Sequence, residues 1–481
     1  MSLLTKSKYL NGLQCIKRLW VEEKHPERIE SSSKAQQRIM NQGIEVGIYA
    51  RENFFDGIVI ERGRNAIEDT QTAVNGDNSC IFEATFIFDG VEIRCDVLQK
   101  NDLNSWNIIE VKSSTSVKDE YLPDLAIQKY VLTGLGVEIK QVKLMYINNQ
   151  DCISPNLSNL FTCRDITSEV DELITKISNN IREFREVLDQ DIEPNILIGK
   201  HCDKPHKCPI KNYCWRDVPE KSIFTIPRLD KRKEQDLISK GILSISEIPP
   251  EYPLSEKQWT YIDTVINAKP EINRDAIKSA LSKIEYPIHF LDFESFNPAI
   301  PRFDGMRPYE HFPFQYSCHK LLLDRTIIHY EYLHTDTSDP RLPLLESLLT
   351  NISGKGSIIV YKKSFEKGIL ENLSKIFPQY SVELESMISR LWDQLAIFQN
   401  YYTHPDFDGK ISLKSVLPIL VPSLGYKSLE IQKGDDAGTI WDLMIHTPDE
   451  MEKDQMIKDL KAYCKMDTFA TAKIHEVLSE F

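Results

Sequence analysis

The stretch that most constrains the first half of the chain runs from Ile93 to Lys112. It holds Ile93-Arg94-Cys95-Asp96-Val97-Leu98, a polar turn through Asn104 and Ser105, then Ile108-Ile109-Glu110-Val111-Lys112. Strand side chains alternate between faces, so Glu110 and Lys112 share one face while Val111 points into the core. Asp96 closes the preceding strand of the same hairpin. Two carboxylates that converge beside an ammonium form a site for a hard divalent cation. Such a site generates hydroxide from a bound water and steadies a pentavalent phosphorus. Lys112 would stabilise the attacking water or the charge developing on phosphate. The plain alternative is an edge hairpin with surface charges.

A chain of 481 residues is too long for one core, so two or three domains are expected. Its hydrophobic (41%) and charged (27%) fractions are those of a soluble globular protein. No apolar run approaches membrane-spanning length, and Met1 to Tyr9 lacks a signal-peptide core, so the expected location is cytoplasmic. A net charge of -14 excludes a surface that attracts nucleic acid everywhere. Phosphate binding must come from local basic patches or bound metal.

Ten cysteines in a cytosolic chain do not suggest disulfides. Cys15 stands near the N-terminus among basic and aromatic residues. Cys202, Cys208 and Cys214 follow far downstream, evenly spaced in a basic segment with Lys200, Lys204, Lys207 and Lys211. Four thiolates can hold an iron–sulfur cluster or a zinc ion. That metal would staple the front of a domain to its back. Alternatively Cys15 is a core thiol, and the trio binds zinc with His201 or His206.

Between these cysteines the pattern is α/β. Helices are expected over 39–53, with a Gly43/Gly47 face, and over 119–135, carrying Gln128 and Tyr130. A third, amphipathic helix is expected over 165–188; strands are expected over 82–88 and 142–147. Asp96, Glu110-Val111-Lys112, Gln128 and the one-plus-three cysteines together resemble the iron–sulfur branch of the RecB-like nucleases in the PD-(D/E)XK superfamily. The resemblance implies a [4Fe-4S] cluster on Cys15, Cys202, Cys208 and Cys214. It also implies metal-dependent DNA cleavage, usually from single-stranded ends, with Asp96 and Glu110 as metal ligands. Gln128 would contact the scissile phosphate or the site lysine. The chain departs from the family in three ways. The family's helical histidine would fall near Gly47, where none stands; Glu83 or Glu45 could substitute as ligand, but each reads more readily as a structural or solvated acid. Gln128 is followed by Tyr130 rather than by a tyrosine four residues on. The trio has a wider first spacing.

After Cys214 the chain turns polar. Residues 229–248 read as a small helical unit, Pro249, Pro250 and Pro253 break regularity, and a helix is expected over 255–266. The Leu237–Leu243 stretch could present amides to phosphate, although a plain spacer explains it better. The next block opens with Ile288-His289-Phe290-Leu291-Asp292-Phe293-Glu294, an apolar strand ending in two acids on one face. Strands are expected over 312–318 and 326–332. A leucine-rich helix follows, then a buried strand at 357–361 and a helix opened by Lys362 to Glu366. A last helix spans 460–478, with Tyr463 and Asp467 one turn apart. The plain alternative for Asp292 and Glu294 is a polar strand end.

Asp292 and Glu294, Glu366, and Tyr463 with Asp467 resemble, in order, the motifs of DEDD exonucleases of the ribonuclease H-like fold, tyrosine subtype. Lys362 stands where asparagine is usual, and Asp393 is a possible further carboxylate. The resemblance implies hydrolysis from a 3′ end with two metals held by Asp292, Glu294, Glu366 and Asp467. Tyr463 would orient the water. The whole chain resembles a bacterial and archaeal family fusing the two domain types. The expected architecture is α/β in three parts: a restriction-endonuclease-like nuclease domain with its iron–sulfur staple over 1–217, a helical connector over 218–284, and a DEDDy-type exonuclease domain over 285–481.

The expected function is thus a Mg²⁺- or Mn²⁺-dependent DNA nuclease with two phosphodiester-hydrolysing sites, in repair, processing or defence. Its expected partner is single-stranded DNA or DNA ends. Two alternatives stay open: a nucleic-acid-binding scaffold with one or both sites inactive, and an RNA exonuclease.

Overall fold

The computed structural model describes residues 3–101, 105–352 and 354–481, apart from the side chain of Asp435. Asn104 of the expected hairpin turn lies outside the described residues, as do Met1 and Ser2. By its internal contacts the chain divides into two units. One is Met1–Asp217 with Pro298–Tyr309; the other is Val218–Asn297 with Glu310–Phe481.

The first unit opens with a short β1 (Leu4–Thr5) and α1 (Lys6–Gln14), whose N-cap Thr5 hydroxyl accepts from the Lys8 amide at 3.3 Å. Cys15 interrupts the helical run before α2 (Ile16–Lys24). A capping box of Ser33 and Gln36 starts α3 (Lys34–Arg51), five residues earlier than its apolar pattern indicates. Then come β2 (Gly57–Val59), α4 (Ala66–Asn75), β3 (Cys80–Phe88), β4 (Val91–Lys100) and β5 (Ser105–Lys112). The rest of the unit is α5 (Leu122–Gly134), β6 (Glu138–Ile147), β7 (Phe161–Asp165), α6 (Thr167–Asp189) and a short α7 (Lys211–Cys214).

The strands form one sheet in the order β2-β3-β4-β5-β6-β7, with β1 paired to β4. β3, β4 and β5 are antiparallel neighbours and β6 runs parallel to β5. The face carrying Leu98 and Ile108 packs on Leu125, Val131, Ile181 and Phe184 of α5 and α6, which form the main core. α1 lies close on α6: a Cβ at Gly12 would stand 2.8 Å from the Phe184 ring, so glycine sets that approach. Pro298–Tyr309, expected within the exonuclease-like domain, clusters here instead. Ala299 and Ile300 bury against Val46, Ile147, Cys152 and Leu160, and the Tyr309 hydroxyl donates to the Ser113 carbonyl.

The second unit begins with α8 (Lys231–Ser239), α9 (Glu256–Ile266), β8 (Glu271–Ile272) and α10 (Arg274–Leu281). The stretch expected as a mere connector has a small core of its own, including Ile223, Leu237, Ile245 and Tyr261, and it clusters with the rest of the second unit. β9 (Ile288–Phe296), β10 (Phe312–Leu321) and β11 (Ile327–Leu333) make a meander. After it come α11 (Arg341–Ile352), β12 (Ile358–Val360), α12 (Lys363–Ile376), α13 (Ser381–Ser389), β13 (Leu391–Asp393), α14 (Leu395–Asn400) and β14 (Tyr402–Thr403). The unit ends with α15 (Leu413–Leu420), α16 (Gly434–His446) and α17 (Glu450–Ser479).

Its sheet has the order β11-β10-β9-β12-β13. β10 is antiparallel to both its neighbours, and β9, β12 and β13 are parallel. α17 is held to this sheet by two buried glutamines. Gln315 donates to the Leu460 carbonyl (2.9 Å) and Gln394 to the Thr471 carbonyl (3.0 Å). Amides placed this way fix both the height and the rotation of the helix, which an apolar contact would leave free to slide. No helix among the described residues is long and apolar enough to cross a membrane.

Candidate active sites

In the first unit the antiparallel pairing of β4 with β5 ends at Val97 opposite Ile109. Beyond that pair the Asp96 carboxylate takes the Val111 amide, at 2.8 Å. Alternation along β5 then puts Glu110 and Lys112 on one face, and α5 supplies Asp124 and Gln128 one turn apart. The Lys112 ammonium lies 2.7 Å from Glu110 Oε1 and 2.8 Å from Asp124 Oδ2. Gln128 donates to Glu110 Oε2 (2.7 Å) and Asp124 Oδ1 (3.0 Å). A second ammonium enters from the first residue of α1: Lys6 Nζ is 3.2 Å from Glu110 Oε1 and 2.9 Å from Asp124 Oδ1. Glu110, Asp124 and Gln128 are buried.

The titration of this cluster follows from its charges. Burial and the neighbouring Glu110 charge push Asp96 up to about 7. Burial also pushes Asp124 up, but the Lys6 and Lys112 ammoniums more than reverse this and hold it below the ordinary carboxylate value. Burial works against both lysines, yet the surrounding carboxylates keep them charged well past the ordinary range. Neither substitute offered for the missing histidine joins the cluster. Glu83 is engaged by Arg51 (2.9 Å) and Arg94 (2.6 Å), and Glu45 is exposed. Tyr130 turns to Asp89, at 3.0 Å.

The four predicted cysteines converge near the start of α2. Cys15 joins α1 to α2, Cys202 closes a 3-10 turn, and Cys214 ends α7. Burial raises the thiols of Cys15, Cys208 (to about 11) and Cys214, and each also feels at least one of the other sulfurs. Backbone amides of Lys17 and Arg18 point at Cys15 and that of Ile210 at Cys208. Gln14 fastens the loop by donating to the carbonyls of His201 (2.7 Å) and His206 (2.8 Å). Amides at two of the four sulfurs suit a thiolate-bound metal centre, although among the described residues no three of these sulfurs lie within 4.8 Å of one another.

In the second unit β9 presents Asp292 and Glu294 on one face, α12 brings Glu366 in its first turn, and α17 brings Tyr463 and Asp467. Among the described residues, one group of three potential ligand atoms lies within 4.8 Å of one another: Asp292, Glu294 and Cys464. Burial drives the Cys464 thiol up, so the residue stays a neutral neighbour 3.8 Å from Asp292 Oδ2. Asp292 is pushed well up by burial and then by the charges of Asp467, Glu294 and Glu366. Burial takes Asp467 to about 6 and, with the nearby Asp393, Glu366 to about 8. Glu366 Oε2 is buried without a hydrogen-bond partner. Like charges gathered out of water give these shifts, and a bound cation relieves them. A hard divalent ion therefore fits this donor set.

Two further residues complete the site. Lys414, from α15, donates to the Tyr463 hydroxyl at 2.6 Å, and the Tyr426 hydroxyl donates to Asp467 Oδ1. Burial pulls the Lys414 ammonium down and pushes both phenols up. Asp393, read as a possible further carboxylate, accepts backbone amides of Lys363, Leu395 and Ala396 and thereby caps α14 beside Glu366.

Residues 289–412 match a family described as a domain of unknown function, DUF2779. That match covers β9, β12 and β13 and stops before Lys414, Tyr426 and α17. The chain is 25% identical over 221 residues to the uncharacterized protein MG366 of Mycoplasma genitalium, covering 41% of this chain. It spans about a third (32%) of that relative's length. Among solved structures it is similar to SSO0001, at 15% identity and TM-score 0.20 over 40% of this chain and 78% of the other. It is also similar to an alkaline exonuclease from Laribacter hongkongensis, at 12% identity and TM-score 0.23 over 39% and 89%. Superpositions at those scores are too slight to carry an argument.

Sequence reasoning missed Lys6, Asp124 and Tyr426, and it matched the 413–416 stretch to the exonuclease-like pattern without giving Lys414 a role. Asp124 stands one helical turn before Gln128, so its place on the same face was available from spacing. Lys6 reaches Glu110 across 104 residues of chain, and no local pattern announces it.

Proposed function

We propose that this chain is a metal-dependent nuclease whose phosphodiester-hydrolysing centre is the carboxylate cluster of the second unit. The observation that carries the reading is a half-buried Asp292 that feels the charges of the buried Glu294, Glu366 and Asp467, beside a lysine and two phenols. The strand order with an antiparallel second strand supports a ribonuclease H-like reading of that unit.

Mg²⁺ or Mn²⁺, when bound, would polarise the phosphate and lower the pKa of the attacking water. Asp292, Glu294 and Asp467 would hold it, with Glu366 at the longer reach of a glutamate. Tyr463, fixed by the Lys414 hydrogen bond, orients the water through its hydroxyl. Lys414 offsets negative charge as it builds on the phosphoryl oxygens. Tyr426 donates to Asp467 Oδ1 and Tyr463 also hydrogen-bonds this carboxylate, so both phenols position Asp467. The substrate proposed is single-stranded DNA or a DNA end, trimmed from its 3′ terminus.

The first unit is proposed as a second nucleic-acid site, with Lys112 and Gln128 toward phosphate and a [4Fe-4S] cluster, or zinc, on Cys15, Cys202, Cys208 and Cys214. The ion pairs that already bind Glu110 and Asp124 favour holding over cutting there. The test is cleavage of labelled single-stranded DNA and RNA of one sequence with Mn²⁺. Asp292→Asn should lower the rate at least about 100-fold, while Lys112→Ala weakens binding. A parent that cuts neither strand, or an Asp292→Asn variant as fast as the parent, defeats the reading. Faster cutting of RNA transfers it to RNA.

A further inference from the structure

The first unit gathers the acids of a cation site and then fills it from within. Both oxygens of Glu110 accept hydrogen bonds, Oε1 from Lys6 and Lys112 and Oε2 from Lys6 and Gln128. Both oxygens of Asp124 do so too, Oδ1 from Gln128 and Lys6 and Oδ2 from Lys112. Asp96 spends one oxygen on the Val111 amide. Three acids thus face two ammoniums, and a residual charge near -1 is a poor attraction for a divalent ion. An ion seated on Glu110 would stand within contact range of both ammoniums and be repelled by each. The cluster also lacks a further ligand, because Glu83 is bound by two arginines and α3 offers Gly47 where the histidine would fall.

We propose that Lys6 is a built-in cation that takes the place of a divalent metal at the first unit, so this site binds no Mg²⁺ or Mn²⁺ of its own. The proposal rests on the reading of the second unit as the metal-dependent centre, and it assigns every tightly bound catalytic ion to that unit. Lys6 suits the role by position. It is the first residue of α1, its side chain is 19% exposed, and the helix behind it is seated on Phe184 through Gly12. Its ammonium arrives with a fixed backbone and displaces only its own hydration. A divalent ion must shed several tightly held waters to reach the same oxygens.

The experiment counts bound Mn²⁺ on the full-length chain by electron paramagnetic resonance, with no substrate present. The parent should bind Mn²⁺, and Asp292→Asn with Glu294→Gln should remove that binding. Adding Lys6→Gln to this double variant should restore one Mn²⁺ with at least tenfold tighter affinity, and Glu110→Gln should abolish it again. Two results overturn the proposal: Mn²⁺ retained by the double variant and lost on Glu110→Gln, or no gain on Lys6→Gln. The first comparison leaves Lys6 intact, so it decides the matter even if the Lys6 variant does not fold. A parent that binds no Mn²⁺ defeats the reading of the second unit instead, and the gain on Lys6→Gln still tests Lys6.

Discussion

Glu366→Gln isolates the cost of burying an acid with no partner for one of its oxygens. The side chain is 3% exposed, and burial raises its carboxyl from 4.5 to about 8. A raised carboxyl binds its proton more tightly folded than unfolded, so its penalty is absent at low pH and grows as pH climbs above 4.5 toward 8. At about 1.4 kcal/mol per pH unit, the parent carries about 3 kcal/mol of that penalty at pH 7 and under about 1 kcal/mol at pH 5. Glutamine has no such dependence, but its amide enters a place with no partner for Oε2 and loses about 1–2 kcal/mol. The balance changes sign: the variant should be more stable than the parent at pH 7, by about 1–2 kcal/mol, and equal or weaker at pH 5. Urea unfolding of EDTA-treated protein, followed through the transition of the second unit, measures it. Mn²⁺ should stabilise the parent more than the variant at pH 7. A difference between parent and variant that is the same at both pH values refutes the reasoning, because Glu366 would then be ionised in the folded chain.

Lys414→Met should lower kcat at least about 100-fold with KM within about threefold, and Lys414→Arg should retain part of the rate, because the group acts on charge that grows during reaction. Steady-state cleavage of an oligonucleotide checks both. Cys15→Ser should strip the iron and the brown colour from anaerobically purified protein, whereas serine at the exposed Cys163 should change neither; colourless parent protein with one zinc per chain would give the quartet to zinc.

Local period carried most of what the sequence disclosed. Alternation at 108–112 and 288–294 and the four-residue step from Tyr463 to Asp467 each place side chains on a face without reference to distant chain. The reading stopped where partners come from afar. α17 extends from Glu450, ten residues ahead of its visible pattern, because Asp449 caps a polar first stretch by accepting from the Met451 and Glu452 amides. Glu83 read more readily as a structural acid than as a ligand, but its partners Arg51 and Arg94, from α3 and β4, could not be named from local pattern. Tyr426 is a lone aromatic in a loop, and only the fold aims it at Asp467. Pro298–Tyr309 is marked as a break by Pro298, Pro301, Gly305 and Pro308, but its contacts with the first unit, Ala299 and Ile300 in an apolar cluster and Tyr309 on the Ser113 carbonyl, come from distant chain.

The two acid clusters face one electrostatic problem with different means. A buried carboxylate must be paired or kept protonated. The first unit pairs Glu110 and Asp124 with lysines from its own chain, and Asp96, left over, rises to about 7. The second unit has Lys414 beside four acids, so Asp292 and Glu366 are driven upward and the demand for positive charge stays open. What separates them is where a lysine at a helix start ends: Lys414, second in α15, stops on the Tyr463 hydroxyl, whereas Lys6 opens α1 at a point within reach of two carboxylates. In the first unit α1 begins at such a point and ends at Cys15, about 14 Å away along its axis. Gly12 seats the helix closely on the Phe184 ring. The helix fixes the backbone of Lys6, and its ion pairs with Glu110 and Asp124 hold the flexible side chain in the acid cluster.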